Sequence, residues 1–141
     1  MKMRAKDYLQ QVRKLDSMIQ NKLSEREQWR SVAYGITSPS MGERVQSSSN
    51  PHKMQNAIIA GLDVEDEINQ RIIELQRRKQ EIIATIEQLP EAEYDLLHKV
   101  YIQGMTLDEV AYTRQRSKSW LATIHGIALK RLQEILDGEQ N

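Results

Sequence analysis

The sequence predicts an all-α protein. A long antiparallel helical hairpin, coiled-coil-like, is expected over residues 1–89, with a compact helix-turn-helix domain over residues 90–141. Three observations predict it. The 141 residues include no Phe and only 5% aromatics, so the core must be built from Leu, Ile, Val, Met and Ala; that suits packed helices better than strands, which favour aromatic and β-branched side chains. Apolar residues recur at spacings of three and four over two long stretches. The final third carries helix-capping signals that divide it into short segments.

The first long helix is expected over about residues 3 to 34. Ala5, Tyr8, Val12, Leu15 and Ile19 fall on one stripe, and the register continues through Lys22 and Arg26 to Trp29 and Ala33. Trp29 reads as a core or interface anchor. The stretch "YGITSPSMGERVQSSSNP" then breaks the pattern with Gly, Pro and Ser, and reads as a loop over about 35–51. A second long helix is expected from about His52 to Leu89, with Pro51 at its start. Its stripe is Met54, Ile58, Gly61, Ile68, Ile72, Leu75, Ile82, Ile86 and Leu89, interrupted by Glu65 and Lys79. Gly61 costs such a helix about 1 kcal/mol relative to Ala. Paired in an antiparallel sense, these helices would extend roughly 50 Å at about 1.5 Å per residue.

Pro90 opens the last part. "LPEAEYDLLHKVYIQG" predicts a helix with Leu96, Leu97, Val100 and Tyr101 inward, ended by Gly104 in a left-handed conformation. Thr106 followed by Glu109 forms a capping box for "LDEVAY", which faces Leu107, Val110 and Ala111 inward. "TRQR" breaks that helix. Ser117 then caps a longer one running to about Leu136, whose buried face is Leu121, Ile124, Ala128, Leu129 and Leu132. Gly126 reads as a site of close helix packing.

Charge is segregated. Net charge is zero, but no acidic residue lies between Val110 and Gln133, a window holding Arg114, Arg116, Lys118, Lys130 and Arg131. Such sorting points to an anion-facing surface. In a helix-turn-helix the second helix offers its N-terminal residues to base edges, while cations and free N–H groups there hold phosphates. Lys118, Ser119, Ala122 and Thr123 occupy that outer face, small enough for close approach to a groove. Lys130 and Arg131 read as surface charges further along the helix.

From Leu89 to Leu136 the sequence resembles the region-four domain of bacterial sigma factors, on "LPEAEYDLLHKVYIQGMTLDEVA" and "SKSWLATIHGIALKRL". The whole layout resembles phage and prophage late-gene transcription regulators of the ArpU/RinA type. The resemblance implies a sequence-specific double-stranded DNA-binding transcription regulator, an activator acting with host RNA polymerase in the cytoplasm of a bacterial cell. It implies DNA contact by Lys118, Ser119, Trp120, Ala122 and Thr123, beside the cap Ser117, with Arg114 and Arg116 near phosphates. Trp120 has two readings, contact with the sugar-phosphate backbone or with the helical hairpin. The family's turn carries an apolar residue, a Gly and another apolar residue where this chain has Arg114, Gln115 and Arg116.

The other classes are a small DNA-packaging subunit and a helical scaffold that binds only protein. A homo-oligomer, with a dimer favoured, is expected through the hairpin. No metal or cofactor is expected. The chain has no Cys, and His52, His98 and His125 show no metal-ligand spacing. Enzymatic chemistry is not expected, because there is no Gly-rich phosphate loop and no nucleophile motif. No stretch has the roughly 18 apolar residues of a membrane span, and the N-terminus lacks the apolar centre of a secretory signal, so the sequence reads as soluble and intracellular.

Overall fold

The computed structural model describes residues 3–34 and 51–139. The expected loop at 35–51 lies outside the described residues except for Pro51, as do the side chains of Met54 and Ile58. Every regular element among the described residues is helical, and no strand occurs among them. The elements are α1 (Ala5–Tyr34), α2 (Pro51–Ile86), α3 (Glu91–Leu97), a π-helical turn (His98–Ile102), α4 (Leu107–Arg114) and α5 (Lys118–Glu139). The chain divides into two compact units, one of Met1–Asp16 with Arg77–Asn141, the other of Ser17–Gln76.

In the Ser17–Gln76 unit, Ile19 of α1 and Ile68, Ile72 and Leu75 of α2 are buried. Polar residues that interrupt the apolar stripes find partners across the two helices. Arg30 Nε donates to Glu65 Oε1 at 2.5 Å, and Arg26 Nη1 donates to Asn69 Oδ1 at 2.8 Å. Gly61 is explained by space rather than by bending: a Cβ there would stand 2.8 Å from the Ala33 Cβ. Among the described residues, Trp29 is not part of the core of this unit. It is 39% exposed, beside a Val32 that is 70% exposed.

Among the described residues, the other unit holds the larger core. Leu9 and Val12 of α1, Ile86 of α2, Leu97 of α3 and Ala128 and Leu132 of α5 are all fully buried. Tyr8 Oη donates to Thr85 Oγ1 at 3.0 Å, and Lys79 Nζ lies 2.8 Å from Asp16 Oδ1, so Lys79 again interrupts a stripe in order to pair. The start of α1 is capped from far away in sequence. The side-chain oxygen of Gln133 accepts from the Ala5 N–H at 2.7 Å, and its amide nitrogen donates to the Met3 carbonyl at 3.1 Å. Helix N-termini leave their first N–H groups unsatisfied, and here α5 supplies the acceptor.

Pro90, extended at ψ 152°, sets the start of α3, with Glu91 and Glu93 in the first turn where carboxylates suit the helix dipole. The helix then widens. The Gln103 N–H donates to the His98 carbonyl at 3.0 Å, five residues back, and Gly104 at φ 77° redirects the chain, as its place in the sequence predicts. The Thr106–Glu109 capping box forms in full. α4 runs two residues beyond the expected Tyr112, to Arg114, and α5 three residues beyond the expected Leu136, to Glu139.

No helix among the described residues is long and apolar enough to cross a membrane.

Candidate nucleic-acid interface

The site is built on three helices and one turn. Leu96 of α3, Val110 of α4 and Leu121 of α5 form a small core of their own, flanked by Val100, Met105, Leu107, Ala111 and Ile124. These contacts fix α4 against α5 and aim the α5 N-terminus outward. Between the two helices Gln115 takes a left-handed conformation, φ 54° and ψ 44°. L-residues pay roughly 1–2 kcal/mol there. The chain therefore makes a sharp turn without the glycine that the resembling family carries, and Arg116 N–H closes it by donating to the Ala111 carbonyl at 3.1 Å. Ser117 Oγ accepts from the Trp120 N–H at 3.0 Å, the expected cap.

All eight residues singled out in the sequence are exposed: Arg114, Arg116, Ser117, Lys118, Ser119, Trp120, Ala122 and Thr123. On α5 they alternate with the buried Leu121, Ala128, Leu132 and Leu136, so one face packs and the other meets solvent. Trp120, 40% exposed, carries the Arg116 guanidinium 5.0 Å above its ring, an attraction between cation and π-face. Gly126 is not a close-packing site among the described residues. A Cβ there would meet nothing within 4 Å.

The cations of the edge are not bare. Lys118 Nζ stands 3.2 Å from Asp108 Oδ1. Arg114 Nη2 donates to Asp95 Oδ2, and Lys99 Nζ donates to Asp95 Oδ1 at 2.8 Å. Burial by itself would raise the Asp95 carboxyl, but the Lys99 hydrogen bond and the charges of Arg114 and Lys99 outweigh it and hold the group below the usual carboxylate range. Arg131, expected as a surface charge, lies with Nε 3.2 Å from Oε1 of Glu93, whose side chain is only 9% exposed. It thereby offsets a buried carboxylate and fastens α5 to α3. A groove of about 430 Å³ runs before the turn, with Leu96, Val110 and Leu121 in its floor and Glu91, Asp95, Arg114, Arg116 and Trp120 around it.

Two features escaped the sequence reading. One is the pairing of edge cations with Asp95 and Asp108, for which only the acids' presence in α3 and α4 gave a signal. The other is the contact of Tyr101 Oη with His125 Nε2 at 2.9 Å, whose rings stack with centroids 5.8 Å apart. Burial, and secondarily Lys6, lowers the His125 pKa. No group of three or more His, Cys, Asp or Glu among the described residues could hold a metal ion.

No curated protein matches the chain, and no solved structure matches it. Residues 35–133 match the model of a family described as protein of unknown function (DUF1492). That match takes in α2, α3, α4 and most of α5, the exposed edge included, and the chain belongs to this DUF1492 family.

Proposed function

We propose that the protein is a double-stranded DNA-binding transcription regulator, in which α4, the turn at Gln115 and α5 act as a helix-turn-helix. The reading is supported above all by one observation: the capped N-terminal part of α5 presents Lys118, Ser119, Ala122 and Thr123 to solvent while Leu121 anchors its other side. Small side chains let a helix backbone approach base edges, and Ala and the Thr methyl suit the thymine C5-methyl group in the major groove. Arg116, held 5.0 Å over the exposed Trp120 ring, offers a cation for a phosphate contact.

By the resemblance to ArpU/RinA-type regulators and to sigma region four, the regulator is an activator of phage late genes working with host RNA polymerase. Its two long helices pair as an antiparallel hairpin and serve a homodimer. The pairing is supported within each unit by contacts that ascend α1 as they descend α2, Arg26–Asn69 with Arg30–Glu65 in one and Tyr8–Thr85 with Asp16–Lys79 in the other.

The test is duplex binding as a function of salt. Each neutralised phosphate should lower log K by about 0.9 per unit of log salt. Lys118→Ala should weaken binding and flatten that slope by about one contact, with helical circular dichroism and melting unchanged. Absence of any shift with micromolar protein at low salt removes the reading and leaves a protein-binding scaffold in its place.

A further inference from the structure

Two cations of the exposed edge each face a carboxylate of their own unit. Lys118 Nζ is 3.2 Å from Asp108 Oδ1, with the side chains 62% and 75% exposed. Arg114 donates to Asp95, whose side chain is 25% exposed and also takes Lys99. The cap of α4 does not require Asp108, since Thr106 and Glu109 already close the capping box between them. Both acids thus occupy N–H donors that the DNA-binding reading assigns to the duplex.

We propose that Asp108 and Asp95 are built-in stand-ins for DNA phosphates, holding Lys118 and Arg114 in the free protein and surrendering them to the duplex. This rests on the DNA-binding reading above and adds to it the means by which affinity is set. The Lys118–Asp108 pair, exposed on both sides, is a weak competitor, and the part-buried Asp95, shared with Lys99, is a stronger one. A duplex, by contrast, offers a dense row of phosphates whose counterions are released on contact. The exchange therefore proceeds, but each contact starts from an occupied cation. The acids lower affinity for every duplex alike, because phosphates carry no sequence information. Binding then depends more on what Ser119, Ala122 and Thr123 read from the bases. Asp108 and Asp95 are positioning residues in this scheme.

The experiment is fluorescence anisotropy of the full chain with a labelled duplex of mixed sequence, at about 50 and about 200 mM salt, the range over which phosphate contacts are strongly weakened. Asp108→Asn should tighten binding about three- to tenfold at the lower salt, with a smaller gain at the higher, as expected for one unit charge at a few ångströms in a screened, water-rich setting. In a Lys118→Ala background most of that gain should vanish, since the two residues act as one pair. Asp95→Asn should act in the same direction through Arg114 and provides a second variant should Asp108→Asn disturb α4. Glu134→Gln is the control for net charge. It lies sixteen residues along α5 from Lys118, about 24 Å at 1.5 Å per residue, and should change little.

The outcomes separate. Duplex binding by the wild type with no gain, or a loss, in both Asp variants overturns the stand-in proposal and leaves the DNA reading intact. An equal gain from Glu134→Gln also overturns it, by reducing the effect to net charge. Binding by the wild type that tightens in both Asp variants but not in Glu134→Gln supports it. Binding by none of the proteins overturns both readings.

Discussion

Gly61 of α2 faces Ala33 of α1 so closely that a Cβ on the glycine would stand 2.8 Å from the alanine's own Cβ. Gly126 of α5, also mid-helix, has open space where its side chain would be. Composition cannot separate these two glycines, but their neighbours do.

Opposite responses to one substitution follow. Gly126→Ala should raise stability by about 0.5–1 kcal/mol, the helix-interior gain on replacing glycine. Gly61→Ala gains the same propensity but must push two backbones apart, an overpacking cost of about 1–3 kcal/mol, so it should melt lower. Urea denaturation of both variants checks this. A stabilised Gly61→Ala would show that the close approach is not required.

Gln133 reaches back to hold Met3 and Ala5, closing the first turn of α1 with two hydrogen bonds. Gln133→Ala leaves the Ala5 N–H without this acceptor, and loss of a cap costs about 0.5–2 kcal/mol. Amide exchange should speed up at the start of α1, with little change in α4. Unaltered exchange at Ala5 would exclude the cap.

The Tyr101–His125 contact predicts a pH dependence. Burial, with Lys6 adding to it, holds the imidazole pKa below its ordinary value, so the unfolded chain binds this proton more readily than the folded one. The stability contribution is therefore whole above about pH 6.5, the unfolded value, and is lost as pH falls through the lower folded pKa. Melting temperature should decline from pH 7 toward pH 5, and His125→Gln, which retains an acceptor for the Tyr101 hydroxyl, should flatten that decline. An NMR titration of His125 with a midpoint at or above 6.5 would contradict this. Asp95, whose carboxyl is held low by Lys99 and Arg114, adds a separate loss only below about pH 4.

Much of the all-helical architecture can be read from the chain, because helices are local objects. Ala5, Val12, Leu15 and Ile19 repeat with the helical period and are buried. Thr106 with Glu109, Ser117 and Gly104 are short-range signals, and each takes its expected conformation. The exposure of Lys118, Ser119, Ala122 and Thr123 follows from the same periodicity, since burying Leu121 and Ala128 turns them outward.

Long-range placement decided the rest. Arg26, Glu65 and Lys79 look like flaws in an apolar stripe until Asn69, Arg30 and Asp16 are set beside them. Trp29 reads by its hydrophobicity as a core or interface anchor, and the described residues of its unit leave it 39% exposed. Arg131 is the exposed charge the sequence predicts, but the buried Glu93 beside it is not legible from the period. A period states which way a side chain points on its own helix. Which atom waits on the neighbouring element is set by packing between residues far apart in the chain, and there hydrogen bonds and charge pairs find their partners.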